Sequence, residues 1–89
     1  MTGVAPRHDH LRRLGEALEA TGDYTARLMG PAELHVRRTG AARLVEDIGA
    51  ERDRDGAWWL LWSWGERICR ADDIPAALAS IARVLAIRD

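Results

Sequence analysis

The run Ala57-Trp-Trp-Leu-Leu-Trp-Ser-Trp64 constrains this chain more than any other segment. It carries all four tryptophans and contains neither glycine nor proline. Bulky and aromatic side chains of this kind suit the pleated surface of a β-strand. Side chains alternate along a strand, so Trp58, Leu60, Trp62 and Trp64 share one face, and Trp59, Leu61 and Ser63 the other. Both faces are apolar, as in a central strand buried on both sides.

The flanking segments supply partners for it. Leu11, Leu14, Ala17 and Leu18 recur at helical spacing over residues 8–20, after a loose arm at 1–7. Asp9 is placed to cap this helix, Gly22 to end it, and Arg12 and Glu16 to pair four residues apart. Gly15 stands in mid-helix, where glycine costs roughly 1 kcal/mol against alanine; a close approach of helix to sheet would explain it. Tyr24–Met29 reads as a strand, Gly30-Pro31 as a turn, and Glu33–Arg38 as an alternating strand with Leu34 and Val36 inward. Residues 41–52 fit either a helix through Ala41, Leu44, Val45 and Ile48 or a strand over 44–52. The strand is preferred because Asp53-Arg-Asp-Gly56 is a turn signal, and a hairpin needs a first arm. Gly65-Glu66 turns the chain into Arg67–Arg70. A last helix over 73–87 is capped by Asp72 or Asp73, carries Pro75 in its first turn, and shows an apolar stripe of Ile74, Ala77, Leu78, Ile81 and Leu85.

The 89 residues make one domain, and the order is α-β-β-β-β-β-α. The expected fold class is α+β, an antiparallel sheet with two helices on one face. Hairpin parity then decides which face of the tryptophan strand is left over. A loop of two or four residues around 53–56 puts Ile48 and Ala50 with Trp59 and Leu61, and a tight turn at 65–66 adds Ile68. Those residues become the helix-covered core. Trp58, Leu60, Trp62 and Trp64 are then the spare face, beside Arg67 and Cys69; an odd loop reverses the assignment of Ile48 and Ala50. Three bare tryptophans would expose roughly 450–750 Å², more than monomers usually leave open. Cover would come from another copy, a partner, a ligand, or the chain's own arginine stems and 39–43 loop. The expected interface is therefore Trp58, Leu60, Trp62, Trp64 and Arg67, used for homodimer formation or a partner protein.

Chemistry-bearing patterns are sparse. Glu51-Arg-Asp-Arg-Asp-Gly56 resembles the opening of a calcium loop, but Trp62 stands where the bidentate glutamate belongs. His8 and His10 lack a placed third ligand. Cys69, the one cysteine, permits no internal disulfide, and a nucleophile–base pair with His35 would have to form across different strands. Ser63 lacks the glycine-flanked nucleophile elbow. Arg37, Arg38, Arg43, Arg52 and Arg54 form the best basic cluster, but Glu46, Asp47, Glu51, Asp53 and Asp55 interleave with it. With a net charge of −1, nucleic acid is not an expected partner. All 13 basic residues are arginine, so every cationic side-chain contact is a planar guanidinium. No cofactor, metal or enzyme activity is expected. The N-terminal residues contain no signal-peptide core and the longest apolar run, Ala57–Trp62, is far short of a membrane span, so a cytoplasmic protein is expected.

The stretch Trp58-Trp-Leu-Leu-Trp-Ser-Trp-Gly-Glu-Arg-Ile68, followed by Ala71-Asp-Asp-Ile-Pro-Ala-Ala77, resembles a group of short uncharacterised actinobacterial proteins. They share a tryptophan strand, then glycine and an acid, then a capped alanine-rich helix. The resemblance spans about residues 34–85 and brings no catalytic residues. It implies an accessory or regulatory role, with a transcriptional regulator as a candidate partner. The sequence reading is thus an interaction protein using the tryptophan face; the alternative is a small-ligand or single-stranded nucleic-acid binding module on that same face.

Overall fold

The computed structural model describes residues 6–30, 32–41 and 43–86. Helix α1 (Pro6–Ala20) is followed by strands β1 (Tyr24–Met29), β2 (Glu33–Arg38), β3 (Val45–Arg52), β4 (Trp58–Trp62) and β5 (Arg67–Arg70), then helix α2 (Ile74–Val84). The segment that fits both periodicities is a strand. The five strands pair antiparallel in chain order, β1-β2-β3-β4-β5. Every neighbour in the sheet is thus a neighbour in the chain.

Helix α1 starts at a proline, whose missing N–H costs nothing in a first turn. Asp9 lies inside the helix instead of capping it and pairs with Arg12 at 2.7 Å and Arg13 at 3.2 Å, while Arg12 also reaches Glu16 at 2.8 Å. The anticipated close approach at Gly15 is present. A Cβ there would meet Leu34 Cδ1 at 3.2 Å and Ala26 Cβ at 3.5 Å, so α1 seats its backbone on β1 and β2. At the end of α1, Glu19 accepts a hydrogen bond from the Ala26 backbone N–H on the edge strand β1, at 3.1 Å. Helix α2 is capped by Asp73, whose carboxylate accepts from the Ala76 N–H at 3.2 Å, with Pro75 in the first turn.

Both helices cover the same face of the sheet. Leu11, Leu14 and Leu18 of α1 and Ala77, Ile81 and Leu85 of the α2 segment share one core with Leu34, Val36, Ile48, Leu60 and Trp62. The parity of the β3–β4 hairpin decides this, and it is the odd one. Arg52 lies opposite Trp58 and Ile48 opposite Trp62, leaving residues 53–57 between the paired positions. Asp53 and Ala57 close a three-residue loop through an Asp53 N–H to Ala57 carbonyl bond of 2.8 Å, and Gly56 donates back to the Asp53 carbonyl at 3.1 Å with φ +90°. This is a type I turn followed by a left-handed glycine, a common three-residue hairpin loop. Ile48 and Ala50 therefore face the same way as Leu60 and Trp62, not with Trp59 and Leu61.

The β4–β5 connection repeats the device. Trp62 donates to the Glu66 carbonyl and Gly65 to the Trp62 carbonyl, both at 2.9 Å, and Gly65 has φ +93°. The loop is Ser63-Trp64-Gly65, so Trp64 belongs to the turn and not to the strand. A bulge between Leu60 and Leu61 then sets Leu61 opposite Arg67 but Leu60 opposite Cys69. The extra residue, Ile68, packs against the core together with Cys69, and Arg67 turns to the other face.

Two substitutions at Gly15 test the helix–sheet contact. Gly15→Val overfills it against Leu34 and is expected to cost about 1–3 kcal/mol in urea unfolding. Gly15→Ala needs only a small shift of the Leu34 methyl and regains about 1 kcal/mol of helix propensity, so it falls well below the valine variant in cost.

Candidate functional site: the open face of the sheet

The expected interface residues occupy three different settings. Leu60 and Trp62 are core, with 0% and 7% of their surface exposed. Trp58, on the same face, is half-buried beneath α1, with the His10 ring 5.5 Å away and the Arg7 guanidinium 5.6 Å from its ring centre. Trp64 is 57% exposed in the turn, and its ring folds back to stack on Trp62 at 5.2 Å with planes 10° apart. Arg67 is exposed on the opposite face. The expectation that Trp58, Leu60, Trp62 and Trp64 form one bare face is therefore corrected: the odd hairpin turns the strand residues among them toward the helices, and the short turn removes Trp64 from the strand.

The face without helices carries Thr25, Arg27 and Met29 of β1, Glu33, His35 and Arg37 of β2, and Val45, Asp47, Gly49 and Glu51 of β3. It continues with Trp59 and Leu61 of β4 and Arg67 and Arg70 of β5. Trp59 organises its β4–β5 half. The Arg67 guanidinium stands 4.6 Å from its ring centre and that of Arg70 5.4 Å. Such contacts contribute about 0.5–1 kcal/mol each at exposed sites. Arg67 also reaches Glu51 at 3.5 Å. Arginine stems thus cover Trp59, on the face opposite the one for which such cover is expected from the sequence.

The indole N–H of Trp59 donates to Asp53 Oδ2 at 2.8 Å. The other carboxylate oxygen, Oδ1, accepts from the Asp55 N–H at 2.9 Å and the Ala57 N–H at 2.8 Å. Hydrogen bonding by the Trp59 indole first, then by the Ala57 amide, holds the Asp53 carboxyl below the usual carboxylate range. One residue thereby shapes the turn and fixes the only tryptophan of the open sheet face.

On the β1–β2 half, His35 Nδ1 and Asp47 Oδ1 are 2.7 Å apart across neighbouring strands. A groove of about 480 Å³ lies beside them, lined by Arg27, Met29, His35 and Arg37 among others. A smaller cavity of about 210 Å³, lined by His10, Trp58, Arg70 and Asp72, sits where α1 passes the β4–β5 end.

Other candidates do not assemble. Cys69 faces the core side and its Sγ contacts the Asp73 carbonyl at 3.6 Å; burial, then the nearby Asp73 and Asp72 charges, pushes its thiol up. His35 lies on the opposite face, so no Cys69–His35 pair forms. Ser63 donates to Glu46 at 3.0 Å. Arg37 points to the open face, whereas Arg38 lies by the Tyr24 ring and bonds the Leu85 carbonyl at 3.4 Å, so the basic cluster is divided between faces. Among the described residues, no group of three or more His, Cys, Asp or Glu side chains is placed to hold a metal ion, and no helix is long and apolar enough to cross a membrane.

The fold and this face define a two-layer α+β domain with one sheet surface left open. No family model, curated protein or solved structure matches the chain.

Two predictions follow from the tryptophan settings and the turn. Trp62→Ala is expected to cost about 3–5 kcal/mol, as a buried aromatic truncation, and Trp64→Ala far less, on the order of 1 kcal/mol. Urea titration of the two variants checks the ranking. Because the folded pKa of Asp53 is depressed, its stabilisation is present above the ordinary carboxylate pKa of about 3.9 and is lost as pH falls through the lower folded value. Asp53→Asn should lower the urea midpoint at neutral pH and flatten its decline in that acid window.

Proposed function

We propose that this chain is a small cytoplasmic binding module that docks a partner protein on the β4–β5 half of its open sheet face. The observation that supports it best is Trp59 held beneath Arg67 and Arg70 on a face that neither helix covers. Arginine and tryptophan dominate the energetics of protein interfaces. A guanidinium ordered on an indole has already lost part of its rotamer freedom, which lowers the entropic cost of a two-pronged bond to a carboxylate. Arg70 forms no ion pair among the described residues, and Arg67 only the 3.5 Å contact with Glu51. The partner surface that fits is one bearing carboxylates around an apolar centre that covers Leu61 and Trp59.

A second copy fits less well. Arginines flank the face on β1–β2 and on β5, with Asp47 and Glu51 between them. A face-to-face dimer with its twofold along or across the strands sets arginine flank against arginine flank and acid against acid. The same central acids disfavour a polyanion lying across the face. A foreign partner, in an accessory or regulatory pairing such as that with a transcriptional regulator, is the reading adopted.

The test uses the purified chain and an Arg67→Gln/Arg70→Gln variant as baits in extract of the source cell, followed by titration of any captured protein against both. The expected result is a monomer by light scattering and a partner whose affinity falls at least about tenfold for the double variant. A partner held equally by the variant, or a stable homodimer protecting Trp59 from quencher, would overturn the proposal.

A further inference from the structure

The opposite corner of the open face carries a different chemistry. The groove there runs along β1 and is lined by Glu19, Thr25, Arg27, Met29, His35 and Arg37. In the β1–β2 register Arg27 lies opposite His35, and Thr25 opposite Arg37. Arg27 and Arg37 are therefore diagonal neighbours on one face, with backbone positions roughly 7–8 Å apart. Two guanidiniums on stems at that spacing can converge on a single tetrahedral anion.

Neither arginine forms an ion pair among the described residues, although Arg12, Arg13 and Arg67 all do. Of the acids nearby, Glu33 lies diagonal to Arg27 across the strands without forming an ion pair with it, and the other two are engaged elsewhere. Glu19 accepts the Ala26 N–H at 3.1 Å, and Asp47 is bonded to His35 at 2.7 Å. That second bond orients the imidazole. Asp47 holds Nδ1 from the β3 side, and the His35 residue so fixed lines the groove. Three nitrogen-bearing groups on two strands thus line one open groove, two of them permanently charged and the third fixed in direction by a carboxylate.

We propose that Arg27, Arg37 and His35 form a binding site for a phosphoryl group, either inorganic phosphate or the phosphate of a small monoester. The two arginines match the charge of a dianion, and with its Nδ1–H given to Asp47, His35 Nε2 offers an acceptor to a hydroxyl of the ligand. Met29, half exposed at the groove wall, offers an apolar surface to the body of an ester. The site is separate from the Trp59, Arg67 and Arg70 patch and does not depend on the docking proposal.

The experiment is an NMR titration of the full chain with inorganic phosphate and with glycerol 3-phosphate, each against sodium chloride at equal ionic strength. Saturable shifts of the Arg27 and Arg37 Nε–H and His35 ring signals are expected with phosphate and not with chloride. Tighter binding of glycerol 3-phosphate identifies an ester as the ligand, and equal binding identifies free phosphate; either supports the site. Arg27→Gln and Arg37→Gln should each weaken binding about tenfold, and Arg83→Gln, on α2 and away from both sites, should leave it unchanged. Shifts that never saturate, shifts reproduced by chloride, or undiminished affinity in both groove variants would overturn the proposal. Unchanged dispersion of the amide spectrum in each variant shows that loss of binding is not loss of fold.

Discussion

Asp53 holds the β3–β4 hairpin with one carboxylate that accepts from the Asp55 amide, the Ala57 amide and the Trp59 indole. These contacts shape a loop of odd length, and its parity propagates through the sheet. With it, Ile48 and Ala50 meet Leu60 and Trp62 beneath the helices, and Trp59 and Leu61 face outward. A loop one residue shorter or longer would exchange every one of those assignments. The hydrophobic effect supplies most of the stabilising free energy of the core, but it does not by itself choose between two apolar faces of β4. The turn does.

Once that face is chosen, the rest of the inner layer fits it. Gly15 lets α1 seat directly on Leu34 and Ala26. The bulge in β5 directs Ile68 and Cys69 inward and frees Arg67 for Trp59. The four tryptophans end in four environments: under a helix, under arginines, within the core, and stacked in a turn. Only the second of these lies on the open sheet face, so the aromatic character of the chain is largely spent on packing.

Much of this architecture could be read in advance, because it rests on local rules. Helix spacing in Leu11–Leu18 and Ile74–Leu85, the alternation of Leu34 and Val36, and a turn signal before the tryptophans suffice for α-β-β-β-β-β-α. The open face could not be read so directly, because its identity depends on one loop. The signal was nonetheless present: aspartate at the first and glycine at the fourth position of Asp53-Arg-Asp-Gly56 is the pattern of a type I turn. A left-handed glycine at that place gives three loop residues. Trp62-Ser-Trp-Gly65 closes in the same way without the aspartate, and so reads less plainly. The His35–Asp47 pair and the Arg27–Arg37 diagonal are cross-strand features, legible only after register is known.

The bond from the Ala26 amide to Glu19 has a consequence for how this protein behaves when crowded with copies of itself. β1 is an edge strand, and its outward amides are a template on which a foreign strand could grow. The Glu19 carboxylate occupies one of those amides and places a negative charge beside the row. Because Glu19 rides on the last turn of α1, this protection lasts only while that turn stays wound. That turn also carries the fully buried Leu18, so the same packing that holds the core guards the edge, and the colloidal behaviour of the protein is coupled to the seating of one helix end.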